Sequence, residues 1–212
     1  MDIKDKKEAV LIIGPTGSGK TPLGDVCERK GAGGTECYHF DFGSILREIA
    51  DNPLDQDYLI QEDVEIIIHT LESGALFENE TFYIVRNILL AFMEKQVIAD
   101  DNLLLLNGIP RHVGQARAVD EIVKIKGLIY LECEPDVVKE RILCNSGGDR
   151  TCREDDSIEA IEKKLELFNN RTMEILNYYG SKKVKIEKIP VSVETTPENI
   201  LQTLNDRGFY DI

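Results

Sequence analysis

The stretch Gly14-Pro15-Thr16-Gly17-Ser18-Gly19-Lys20-Thr21 sets glycine, lysine and hydroxyl at the spacing G-x-x-x-x-G-K-S/T. That spacing suits a polyphosphate. Glycines let backbone N–H groups turn inward and form a nest for an anion. A helix beginning just after the loop aims the positive end of its dipole at the same point. Lys20 reaches the β and γ oxygens as a mobile cation, and the Thr21 hydroxyl can ligate Mg²⁺. Pro22 fits an early helical turn, where its missing N–H costs nothing. Gly14, Thr16, Gly17, Ser18, Gly19, Lys20 and Thr21 are therefore assigned to the phosphates of a nucleoside triphosphate.

A second group, Asn107, Gly108, Arg111 and Gln115, follows the apolar run Leu103-Leu104-Leu105-Leu106. The elements that must position both groups are short apolar runs alternating with amphipathic stretches. Strands are expected at 9–13, 37–40, 103–106, 128–131 and 184–189. Helices are expected at 20–30, 44–50, 60–73, 79–96, 114–125, 136–144, 157–179 and 197–206. The helix at 79–96 has apolar positions at Phe82, Val85, Leu89 and Phe92 or Met93. This alternation predicts the α/β class, a parallel sheet covered on both faces. The all-apolar run 103–106 reads as a central strand. Ligands of such sheets lie beyond the carboxyl ends of the strands, so Arg111 and Gln115 emerge beside the phosphate loop. Residues 43–76 and the polar run 145–156 break the alternation and read as insertions on that edge.

With 212 residues and 42% apolar content, the chain suits one domain with a proper core. A formal net charge of −14 sets it against nucleic-acid phosphates and anionic membranes. Neither is expected as a partner. The charged start Met1-Asp2-Ile3-Lys4-Asp5-Lys6-Lys7 and the short run at 9–13 do not make a signal peptide, and no segment approaches a membrane span. The odd, scattered set Cys27, Cys37, Cys133, Cys144 and Cys152 reads as free thiols in a reducing compartment. A cytoplasmic, monomeric protein is expected. Cys144 and Cys152 are too few for structural zinc. His39, His69 and His112 have no partner pattern and read as structural or exposed.

Several segments, in order along nearly the whole chain, resemble the adenylate kinases and their nucleoside monophosphate kinase relatives. Asn107-Gly108-Ile109-Pro110-Arg111-His112-Val113-Gly114-Gln115 is similar to D-G-F/Y-P-R-x-x-x-Q, with Asn for Asp. His39-Phe40-Asp41-Phe42-Gly43-Ser44-Ile45-Leu46-Arg47 is similar to H-I/L-S-T-G-D-M/L-L-R. Gly74-Ala75-Leu76-Phe77 resembles G-x-L-V, Glu140-Arg141-Ile142-Leu143 the entry to a lid, and Arg153-Glu154-Asp155-Asp156 its R-x-D-D exit. Leu176-Asn177-Tyr178-Tyr179 resembles the end of the helix that follows.

The resemblance implies a P-loop NTPase-type three-layer sandwich: a five-stranded parallel sheet with helices on both faces. Within a single domain, 1–212, it implies a core (1–42, 77–144 and 157–212), a helical monophosphate-binding insert (43–76) and a short lid (145–156). It implies transfer of the γ-phosphoryl of ATP to a nucleoside monophosphate, AMP foremost, with Mg²⁺. Arg47 and Arg111 would clamp the acceptor's phosphate, with Gly43, Phe77 and Gly108 around it, and Gln115 would bond its base. Arg141 would stack on the donor's adenine or reach its phosphates, and Arg153 would swing in with the lid. Lys20, Arg141, Arg153 and Lys164 form the implied catalytic set; Thr21 holds the metal, with Asn107 reaching it through water.

The chain departs from the family pattern at several of these positions. Asn107 replaces the Asp that organises the Mg²⁺ water shell, and Phe42 replaces a Thr that helps recognise adenine. Asn145 and Lys164 stand for arginines, with Arg150 near enough to stand in for the first, and Lys20-Thr21-Pro22 stands for K-G-T. Missing cations near the transferred group cost orders of magnitude in rate, whereas the nest and Lys20 sustain binding. Three readings stay open: a kinase for AMP, a divergent small-molecule kinase with another acceptor, and a nucleotide-binding protein that has lost the chemistry. The neutral Asn107 predicts a raised Mg²⁺ requirement.

Lys20→Ala is expected to weaken ATP binding and abolish transfer, while leaving the nest. Calorimetry showing equal ATP affinity in both forms contradicts the assignment of the loop.

Overall fold

The computed structural model describes residues 6–53, 57–99, 101–149 and 157–212. The chain runs β1 (Glu8–Ile13), α1 (Lys20–Lys30), β2 (Cys37–Asp41), α2 (Phe42–Asp51) and α3 (Gln61–Ser73). It continues through α4 (Phe82–Gln96), β3 (Leu103–Asn107), α5 (Val113–Ile122), β4 (Lys124–Glu132) and α6 (Pro135–Leu143). It ends with α7 (Ile158–Leu167), α8 (Glu174–Ser181), β5 (Lys185–Pro190) and α9 (Pro197–Asp206). The strands form one sheet in the order β2-β3-β1-β4-β5, and every neighbouring pair is parallel.

Both faces of this sheet are buried, as the apolar runs required. In β1, Ala9, Leu11 and Ile13 enter one core with residues of α4, α5 and α8. Val10 and Ile12 enter the other with residues of α1 and α9. Burial pushes the Cys27 thiol up to about 11 and that of Cys37 up to about 12, so both stay protonated. Helix starts follow local chemistry: Asp41, Ser157 and Thr196 cap α2, α7 and α9 through side-chain oxygens.

All five expected strands are present, but several boundaries differ. The expected helix 114–125 stops at Ile122, because Lys124 and Ile125 already pair with Glu8 and Ala9 across an irregular register step. The expected helix 44–50 begins at Phe42, capped by Asp41. The stretch 79–96 opens with a 3₁₀ turn at Asn79–Thr81 before α4. The single helix expected over 157–179 is broken by a π-helical turn at Phe168–Thr172. The extra residue in that turn brings both Phe168 and Thr172 inward, Phe168 stacking on Tyr130 and Thr172 donating to the Arg111 carbonyl at 2.9 Å. Among the described residues, no helix is long and apolar enough to cross a membrane.

Leu106 is fully buried on β3, an inner strand between β2 and β1. Leu106→Ala is expected to cost about 2–5 kcal/mol of stability, read as a lower urea midpoint at unchanged slope.

Candidate active site

The phosphate loop leaves the carboxyl end of β1 and closes on α1. Gly17 and Gly19 have φ of +75° and +93°, angles that other residues rarely adopt. Gly14 is tight for a different reason: a Cβ there would lie 2.6 Å from Ser18 Oγ and 2.9 Å from the Leu131 carbonyl. The hydroxyl of Ser18 is buried without a protein partner. No side chain caps α1 and no acid lies in its first turn, so its leading N–H groups face the loop. Lys20 Nζ lies across the loop, donating to the Gly14 and Pro15 carbonyls at 2.9 and 2.7 Å.

Thr21, on the first turn of α1, meets the ends of two strands. Its Oγ1 lies 2.5 Å from Asp41 Oδ2 and accepts from Asn107 Nδ2 at 3.1 Å. Asn107 Nδ2 also lies 3.1 Å from Asp41 Oδ2 and 3.4 Å from His39 Nε2. His39 Nδ1 lies 2.9 Å from Asp25 Oδ1, so the histidine has a structural partner. Burial alone would raise the Asp41 pKa; hydrogen bonds from Thr21 and the Ser44 N–H, with His39 and Arg47 nearby, hold it below the usual carboxylate value.

On the other wall, Arg47 donates to Ser44 Oγ at 3.2 Å, and Arg111 Nε donates to the Gly108 carbonyl at 3.0 Å. Gln115 is buried: its Oε1 accepts from the Arg111 N–H and its Nε2 donates to the Phe77 carbonyl, both at 2.7 Å. One amide hydrogen and one lone pair are left for a ligand. His112 caps α5 through Nδ1, and its Nε2 lies 3.1 Å from the Phe77 carbonyl. The Phe42 and Phe77 rings meet edge to face at 5.6 Å. A single cleft is lined by Gly14, Thr16, Lys20, Thr21, Asn107 and Gly108 together with Gly43, Arg47, Phe77, Arg111, Gln115 and Lys164.

Arg141 is buried and turned to backbone. Its Nε donates to the Gly17 carbonyl at 3.1 Å, and Nη1 to the carbonyls of Ser192, Val193 and Thr195 at 2.7–3.1 Å. The guanidinium thus ties the phosphate loop to the loop after β5. Arg153, Arg150 and the R-x-D-D segment lie outside the described residues.

The family model that matches the chain is that of adenylate kinase, over residues 12–184. The chain belongs to the adenylate kinase family. It is accordingly a phosphotransferase of the nucleoside monophosphate kinase class. The uridylate kinase of Saccharomyces cerevisiae is 27% identical over 205 residues, covering 95% of this chain and 93% of its own. The adenylate kinase of Treponema denticola is 27% identical over 211 residues, covering 86% and 92%. UMP-CMP kinase 1 of Oryza sativa is 28% identical over 184 residues, covering 85% and 66%.

Against the family pattern, two features were missed in the sequence. One is Asp41, where the motif has serine; its signal was a carboxylate at a strand end just before a helix. The other is the backbone clamp by Arg141, which no motif encodes.

Gly14→Ala in this adenylate kinase relative is expected to weaken ATP binding at least tenfold, about 1.4 kcal/mol, and to lower the melting temperature, because the added Cβ overlaps Ser18 and the Leu131 carbonyl. Unchanged affinity in a calorimetric titration contradicts the close approach around Gly14.

Proposed function

We propose that this chain transfers the γ-phosphoryl group of Mg²⁺-bound ATP to a nucleoside monophosphate, AMP or a close relative. The observation that carries the reading is one cleft with two cationic walls. Lys20 and the loop stand on the donor side, Arg47 and Arg111 on the other, with Lys164 also on the lining. Phosphoryl transfer asks for positioning and for charge around the transferred group, with little covalent work by the protein. Lys20 would leave the loop carbonyls for the β and γ oxygens. Arg47 and Arg111 would hold the acceptor's phosphate in line, arginine being suited to bidentate grip. Gln115, fixed by Phe77, would offer its remaining donor and acceptor to a base.

The residues present fit Mg²⁺. Thr21 Oγ1 and Asp41 Oδ2 are hard oxygen donors, set 2.5 Å apart beside the nest. Among the described residues no group of three or more His, Cys, Asp or Glu could hold a metal by itself. The ion would therefore arrive on the phosphates, with Thr21 completing its shell. Bound there, it would neutralise charge on the β and γ oxygens.

Residues 43–76 serve as the acceptor insert and 145–156 as a short lid that excludes water during transfer. The protein works as a cytoplasmic monomer. The Phe42–Phe77 pair favours a second acceptor choice: an aromatic wall replaces the small hydroxyl of the adenine-selecting motif, and relatives named for uridylate match as well as those named for adenylate.

Initial rates with Mg²⁺-ATP against AMP, GMP, CMP, UMP and their deoxy forms test this reading. The expected outcome is AMP first, and Arg111→Ala raising KM for the monophosphate at least tenfold, about 1.4 kcal/mol, with ATP affinity little changed. A preference for a pyrimidine selects the second choice. Lost ATP binding with acceptor binding intact in Arg111→Ala means the two subsites are interchanged.

A further inference from the structure

Asp41 and Asn107 are partners in register at the carboxyl ends of β2 and β3. A carboxylate only accepts hydrogen bonds, so the Asn107 atom 3.1 Å from Asp41 Oδ2 is the amide nitrogen. That NH₂ group is therefore turned toward Thr21 and Asp41. The Thr21 O–H donates to Asp41 Oδ2, which leaves Thr21 Oγ1 a lone pair beyond the one that Asn107 engages. The family pattern has serine at position 41 and aspartate at position 107; here position 41 carries the carboxylate and position 107 the neutral polar group. The negative charge has moved one strand sideways and stays beside the same threonine.

We propose that Asp41 is the carboxylate that holds the water shell of the metal–nucleotide complex in this chain, with Asn107 as the residue that positions it. The proposal rests on the nucleotide kinase reading above. A hard cation on Thr21 Oγ1 carries its waters about 2.1 Å from the ion. Asp41 Oδ2, 2.5 Å from that same oxygen, can accept from a water beside it. Asn107 contributes no charge and fixes Oδ2 in place. The raised Mg²⁺ requirement expected from Asn107 alone therefore does not follow.

Asp41 also caps α2, its Oδ1 accepting from the Ser44 N–H at 3.0 Å. Asparagine caps a helix as well as aspartate does, so Asp41→Asn removes the charge and keeps the cap. The probe is Mn²⁺, with the free ion followed by electron paramagnetic resonance as it is titrated into protein and saturating ATP, without acceptor. Wild type is expected to hold Mn²⁺ more tightly than ATP alone does. Asp41→Asn should lose about tenfold or more of that affinity, with metal-free ATP binding retained. The double variant Asp41→Asn with Asn107→Asp, which returns the negative charge to position 107, should recover it.

Mn²⁺ held equally by wild type and Asp41→Asn overturns the proposal, as does a double variant no better than the single. Wild type that binds ATP yet holds Mn²⁺ no better than ATP alone overturns it and leaves the nucleotide site standing. Wild type that binds no ATP overturns both.

Discussion

A parallel sheet brings the carboxyl ends of all its strands to one edge, and everything chemical in this protein depends on the register at that edge. Ile12 and Asp41 both pair with Asn107, so the start of the phosphate loop, the end of β2 and the end of β3 sit within one rung of the ladder. A slip of one residue would exchange Asn107 with fully buried Leu106 and turn the amide into the core. The amide would then lose Thr21 and Asp41 as partners, and that cost opposes the slip. The core therefore does more than stabilise: it sets the few ångströms separating Thr21, Asp41 and Asn107.

The electrostatics follow from the same edge. A chain with a net charge of −14 attracts a polyphosphate only where cations converge, and the lining of one cleft gathers Lys20, Arg47, Arg111 and Lys164. Arg141 acts differently, through backbone carbonyls on two loops, and so holds the cradle from behind. The buried, unpartnered hydroxyl of Ser18 and the uncapped start of α1 complete a site whose donors await an anion.

Much of this was legible in the sequence because it was written in local patterns. The strand runs at 9–13, 103–106 and 128–131 were continuous and apolar, and the glycines and lysine of the loop occurred at a spacing with one chemical use. Two kinds of feature were not legible. Extensions such as β4 running back to Lys124 depend on a partner strand far away in sequence. The π-helical turn at Phe168–Thr172 likewise arises from contacts with Tyr130 and Arg111, which helical periodicity cannot report. Position 107 alone looked like a lost charge; only the lateral pairing of β2 with β3 shows a carboxylate beside it. Gln115 was legible as a cleft residue, but its commitment to the Phe77 carbonyl was not.

The chemistry proposed for this cleft is passage of a phosphoryl group from one nucleotide to another. The most direct measurement follows ATP carrying radiolabel in its γ-phosphoryl, incubated with the protein, Mg²⁺ and a nucleoside monophosphate, with products separated by chromatography. Label is expected in the nucleoside diphosphate, with little in inorganic phosphate and no transfer by the Lys20→Ala protein. Label that appears only as inorganic phosphate, or stays on ATP with every monophosphate, contradicts it.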